Sequence, residues 1–187
     1  MPAYAAMLRG INVGGHHTVP MSDLRQLCGE LGMSDVATYI QSGNVVFSST
    51  RDDEHGLAGE LEQAMRRAFG FDVPVVLRAA GELTSVARSN PFVDRGVDVS
   101  VMSVGFLDAV PEQARVRALG DDPLATPPPA GDEFCIEGRE VYLHHPNGYG
   151  RSKLTNSFFD RRLGTMMTVR NWRTVVTLVE MTGARGM

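Results

Sequence analysis

The chain has 187 residues, enough for one large domain or two small ones; 43% hydrophobic content and a mean hydropathy of −0.11 describe an ordinary globule with a core to bury. A net charge of −4 argues against a general nucleic-acid binder coated in positive charge, so nucleic acid is not an expected partner. No run approaches the length of a membrane span and the first residues lack a basic-then-apolar leader pattern, so no membrane partner and a cytoplasmic location are expected.

In chain order, Ala3 to Leu8 reads as a short buried strand, and Arg9-Gly10-Ile11-Asn12-Val13-Gly14-Gly15 leaves it as a glycine-rich loop. A helix follows from about Pro20, because Leu24, Leu27, Cys28 and Leu31 recur at helical spacing, and Gly32 stops it. Thr38 to Gln41 and Val45 to Ser48 read as paired strands around Ser42-Gly43-Asn44. Leu57, Leu61, Ala64, Met65 and Ala68 stripe a second helix. Val73 to Ala79 is a strand, and Pro74 near its start points to a sheet edge. Residues 1–80 thus give β-α-β-β-α-β, the split-βαβ or ferredoxin-like order. Right-handed crossovers then place both helices on one face of a four-stranded antiparallel sheet.

Gly81 to Asn90 reads as a helical link stopped by Pro91, within a linker over 81–97. The pattern then restarts over 98–187. Val99 to Leu107 is a strand, and Pro111 to Leu119 a helix with proline in its first turn. Pro127-Pro128-Pro129 stiffens the loop that follows. Phe134 to Glu137 and Glu140 to His144 pair around Gly138-Arg139, a two-residue turn with glycine first. A helix from Ser152 to Leu163, a strand from Met166 to Val169 and a last helix striped by Trp172, Val175, Val176 and Val179 complete the chain. The expected class is α+β: two consecutive α-β plait (βαββαβ) subdomains with an extra C-terminal helix. The duplication rests on element order alone.

The candidate chemistry lies in the turn His145-Pro146-Asn147-Gly148-Tyr149-Gly150-Arg151-Ser152-Lys153. Glycines let the backbone approach a guest, Ser152 is placed to cap the helix behind it, and helix-start amides suit an anion. The alternative is a strand-to-helix connection that simply needs glycine. Of 18 basic residues 17 are arginine, and Lys153 is the only lysine. Where nearly every positive charge is arginine, a lone lysine marks a place for a compact, movable ammonium. From Arg139 onward eight basic residues face three acidic ones, a balance of +5, while the first 138 residues carry ten against 19, or −9.

Both glycine loops, Arg9–Gly15 and Asn147–Lys153, leave strands in comparable settings. Facing halves would bring them to one cleft between domains, with Arg170, Asn171 and Arg173 adding donors or capping the last helix. Arg9, Asn12, Gly14, Asn147, Gly148, Gly150, Arg151, Ser152, Lys153, Arg170 and Asn171 are therefore the candidate ligand-binding residues, and phosphate or carboxylate the natural guest. The loop is neither a phosphate-wrapping G-x-x-x-x-G-K loop nor a dinucleotide fingerprint. Two adjacent histidine pairs, His16-His17 and His144-His145, fit surface or core positions better than a proton shuttle across the cleft. Cys28 and Cys135 match no metal or redox spacing; Cys28 reads as core, and no metal or cofactor is indicated.

Leu8-Arg9-Gly10-Ile11-Asn12-Val13-Gly14-Gly15 with Val19-Pro20-Met21, and Tyr39-Ile40-Gln41-Ser42-Gly43-Asn44-Val45-Val46-Phe47, resemble signatures of the bacterial family catalogued as domain of unknown function 1697. Pro146-Asn147-Gly148, Gly150-Arg151-Ser152-Lys153-Leu154 and Arg170-Asn171-Trp172 extend the resemblance over almost the whole chain; the His16-His17 pair departs from it. The resemblance implies two α-β plait subdomains and no established activity. The expected function is binding of a phosphate-bearing metabolite or nucleotide. The rivals are a protein–protein or oligomerisation module whose motifs are purely structural, and a weak RNA binder.

Overall fold

The computed structural model describes residues 1–120 and 131–185; the Pro127–Pro129 expectation lies outside them. The chain divides into two compact units, Met1–Ser85 with the segment from Thr177, and Val86–Val176.

The first unit runs β1 (Ala3–Leu8), α1 (Met21–Glu30), β2 (Ser34–Tyr39), β3 (Asn44–Ser48), α2 (Glu54–Phe69) and β4 (Val75–Ala79). Its sheet has the order β2-β3-β1-β4, with every neighbouring pair antiparallel. Tyr4, Ala6 and Leu8 point to one face, where they pack with Val45, Phe47, Leu77 and the α1/α2 residues Leu24, Cys28, Leu61 and Met65. Ala5, Met7, Val46 and Arg78 point the other way and are buried as well. That is why β1 reads as an unbroken apolar run rather than an alternation.

α1 ends in a Schellman motif. Gly32 takes φ +79 and donates to the Gly29 carbonyl, while Met33 donates to that of Cys28. Asp53 caps α2 by accepting from the Gly56 amide. Pro74 lies just before β4, which is an edge strand, as its missing donor requires. Two readings are corrected. Ala68 is exposed, because α2 turns it away from the core. The second strand starts at Ser34 and stops at Tyr39, because Ile40 leaves the sheet with φ +48.

α3 (Ala80–Arg88) and α4 (Pro91–Asp94) follow. The expected helical link ends at Arg88, short of Asn90, and Pro91 opens α4 at the position where a missing N–H is harmless, behind the Asn90 cap.

The second unit continues with β5 (Met102–Leu107), α5 (Gln113–Gly120), β6 (Glu133–Glu137), β7 (Glu140–His144), α6 (Asn156–Leu163), β8 (Met167–Asn171) and the start of α7 (Trp172–Gly183). Its sheet order is β6-β7-β5-β8, again antiparallel throughout. Leu107, Val141, Leu143 and Met167 pack against Leu154, Phe159 and Leu163. β5 begins later than expected, because Asp98 accepts from the Ser100 amide and winds Val99–Val101 into one 3-10 turn. α5 begins two residues beyond Pro111. α7 buries Trp172, Val175 and Leu178, leaving Val176 exposed.

The two sheets share their register. Ala5 of β1 lies between Val46 and Arg78, and Val104 of β5 between Tyr142 and Arg170. Arg78 and Arg170 are both buried, and each donates from Nη1 to the carbonyl before it, at 2.8 and 2.9 Å. The duplication therefore reaches single residues. The copies differ in their hairpins. Tyr39 and Asn44 face each other across four residues, Glu137 and Glu140 across two, where Gly138 takes φ +58.

Candidate functional site

In the second unit the segment after β7 is folded tightly on itself. The His145 amide donates to the Val101 carbonyl at 2.8 Å, and Gly148, at φ +83, donates back to the His145 carbonyl at 2.9 Å. Tyr149–Arg151 form one 3-10 turn, in which Arg151 donates to Gly148 and Ser152 to Tyr149. Ser152 then extends, with φ −72 and ψ 146. Its Oγ donates to Asp132 Oδ2 and accepts from the Leu154 amide at 2.9 Å. The cap of α6 is Thr155, whose hydroxyl accepts from Phe158; the expected helix start at Ser152 is corrected by four residues. The expectation of bare amides is corrected too, since those of Gly148, Arg151, Ser152 and Leu154 are committed within the loop.

What the loop turns outward is charge. Arg151 and Lys153 are exposed on either side of Ser152, and among the described residues neither side chain is held by a hydrogen bond or ion pair. Asn147 and Gly150 are exposed beside them. Beneath the loop, Asp132 is 2% and His145 1% exposed. His145 Nδ1 lies 3.7 Å from Asp132 Oδ2, within ion-pair range but beyond a hydrogen bond, and among the described residues neither ring nitrogen has a hydrogen-bond partner. The ring packs edge-on against Tyr149, centroids 5.2 Å apart. Burial pushes the His145 pKa below its ordinary value, against the opposing pull of Asp132. His144 goes elsewhere. Its Nδ1 lies 3.0 Å from Glu133, which also pairs with Arg95 at 2.8 Å; Arg95 first, then His144, hold the Glu133 carboxyl down at about 2.

Arg170 and Asn171 sit at the end of β8 in the same unit. Arg170 is buried and donates to Thr168 Oγ1 and the Val169 carbonyl, and burial lowers its guanidinium to about 10. Asn171 accepts from the Thr174 amide, which caps α7. With Val99, Ser100 and Arg173 it lines a cavity of about 190 Å³.

The Arg9–Gly15 loop belongs to the first unit. Asn12, at φ +55, donates to the Val19 and Gln41 carbonyls at 3.0 and 2.8 Å and accepts from the Val19 amide at 2.8 Å. Its amide group is thus used up in tying the loop to the β2–β3 turn. Ile11 is buried under the loop, while Gly14 and Gly15, at φ +61 and +77, form its exposed tip. Arg9 is half-buried and has its own partners. His17 stacks on Phe71 with centroids 4.4 Å apart.

Sequence reasoning missed Asp132, 20 residues before the serine it binds, and Arg78, hidden inside an apolar strand run. No local pattern marks either one. Among the described residues no cluster of three or more His, Cys, Asp or Glu can hold a metal ion, and no helix is long and apolar enough to cross a membrane.

A search of curated proteins finds no match. Among solved structures the chain is similar to one described as "conserved bacterial protein SP0830 from Streptococcus pneumoniae". The TM-score is 0.70 at 23% identity, over 97% of this chain and 98% of that one, a likeness of fold. The family profile described as "Protein of unknown function (DUF1697)" matches residues 1–142. That span takes in the Arg9–Gly15 loop and ends before Asn147, short of the nearly full length the sequence resemblance suggested. The chain belongs to this family, for which no activity is established.

Proposed function

We propose that the protein binds a phosphate-bearing metabolite or nucleotide through the Asn147–Lys153 loop, on a scaffold in which each unit is a ferredoxin-like α-β plait. The observation that carries this reading is the pair of exposed cations, Arg151 and Lys153, without a side-chain partner among the described residues, flanking a serine anchored to a buried carboxylate. The anchor fixes the loop before a guest arrives, which lowers the ordering cost of binding. Arginine offers a planar fork for two oxygens and lysine a rotatable point charge. Cys28 and Cys135 are both free thiols, which suits the cytoplasm.

The test is a thermal-shift series with orthophosphate, sugar phosphates, nucleotides and polyphosphate, on the wild type and on Arg151→Ala/Lys153→Ala. A ligand at 100 times its dissociation constant stabilises by about 2.7 kcal/mol. The double variant is expected to lose that gain. Silence from the wild type toward every ligand, or an equal response from the variant, overturns the reading.

The rival, a protein–protein module, draws on a different observation in the first unit. Val13 and Ile40 are 66% and 50% exposed on two loops that Asn12 ties together. Sedimentation at rising concentration, wild type against Val13→Ser/Ile40→Ser, tests self-association through that patch.

A further inference from the structure

The buried pair beneath the loop has no role yet. Asp132 accepts from Ser152 Oγ, and His145 approaches the same Oδ2 at 3.7 Å without a hydrogen bond. Nearly every buried polar side-chain atom finds a partner, so a ring whose two nitrogens have none among the described residues, beside a carboxylate, calls for an explanation. The neutral Nδ1–H tautomer already aims a donor at Asp132 and leaves Nε2 a bare acceptor; a second proton, on Nε2, turns the ring into a cation beside the carboxylate.

The charges nearby make that proton matter to the loop. With the ring neutral, Arg151, Lys153 and Asp132 sum to +1; with the ring protonated the same cluster carries +2. We propose that His145 and Asp132 form a proton-linked element of the Arg151–Lys153 anion site, so that protonation of His145 and binding of the anion favour one another. The proposal rests on the binding reading above and names its regulation.

The coupling is reciprocal by necessity: if the proton tightens the anion, the anion tightens the proton by the same factor. The groups facing the ring set the direction. Asp132, on the segment entering β6, favours the imidazolium. His144 opposes it but is itself turned toward Glu133. Tyr149 packs edge-on with the imidazole, and the 3-10 turn touches His145 only through the Val101 carbonyl that accepts its backbone amide. An anion held at Arg151 and Lys153, above the buried pair, would favour the imidazolium. Burial sets the working range below that of a free imidazole.

The experiment uses inorganic sulfate, a dianion that does not titrate in the range examined, and measures its affinity for the full chain from pH 8 to pH 5. In parallel, the ring titration of His145 is followed by NMR with and without saturating sulfate. The expected result is roughly tenfold tighter sulfate binding at the acid end and a His145 titration displaced upward by about one pH unit, the same factor read from the other side. His145→Gln removes the pH dependence, and His144→Gln leaves it in place. Sulfate binding with an unchanged pH profile in His145→Gln overturns the proposal and leaves the binding reading intact. Absence of sulfate binding at every pH overturns both. Should His145→Gln fail to fold, the wild-type ring titration decides alone: no displacement by sulfate overturns the proposal.

Discussion

Ile40 has a β-branched side chain in left-handed backbone, with half its surface in water. The conformation costs about 1–2 kcal/mol for a residue with a Cβ, and little burial offsets it. Ile40→Asn is therefore expected to raise stability by about 1 kcal/mol in urea unfolding, since asparagine tolerates this region. Strain of this sort gathers at functional places, and the surrounding loops also carry Asn12 and His17 at positive φ. An amide amid glycines can donate to an anion, which is what makes Asn12 a candidate ligand-binding residue in the sequence. The structure spends that amide on Val19 and Gln41 instead. A side chain's residue type announces what it can bond, and only the fold decides which partner comes within reach.

At the scale of elements, order was legible and boundaries were less so. Helical stripes and apolar runs carried β-α-β-β-α-β in both halves, because each helix buries one face and each central strand is out of water on both. The α6 boundary was missed by four residues because two hydroxyls compete for the cap. Thr155 takes the Phe158 amide, while Ser152 is diverted to Asp132, a partner no local rule connects to it. The two substitutions should therefore differ in size. Thr155→Ala loses a cap, about 1 kcal/mol. Ser152→Ala orphans a buried carboxylate and is expected to cost about 3 kcal/mol, although Ser152 lies outside the helix. Chemical denaturation of the two variants side by side checks the ranking.

For the molecule as a whole, acid is the expected route to unfolding. The folded His145 pKa lies below the unfolded value of about 6.5, so its contribution is complete above that pH and is lost as pH falls below it, while the unfolded chain takes up the proton first. The Glu133 carboxyl is also depressed, to about 2, so its contribution holds above its unfolded range near 4.3 and fades below it. Its ion pair with Arg95 is open to solvent, so its share is the smaller. Urea unfolding at pH 7, 5.5 and 4 should show a midpoint that falls throughout, with the first part of the decline absent from His145→Gln. The internal repeat is a whole-molecule property that element order suggested and register made concrete. Arg78 escaped notice because one cation inside Val75–Ala79 does not disturb a hydropathy average.

The second hairpin shows how little chain such a connection needs, so the two additional residues between Tyr39 and Asn44 serve something other than closing the strands. They supply the Gln41 oxygen on which Asn12 leans. Transplanting Gly138-Arg139 in place of Ile40–Gly43 should leave the first sheet's pairing intact while unfastening its glycine tip. A brief trypsin digest would then nick the chain at Arg9, a bond that stays closed in the parent.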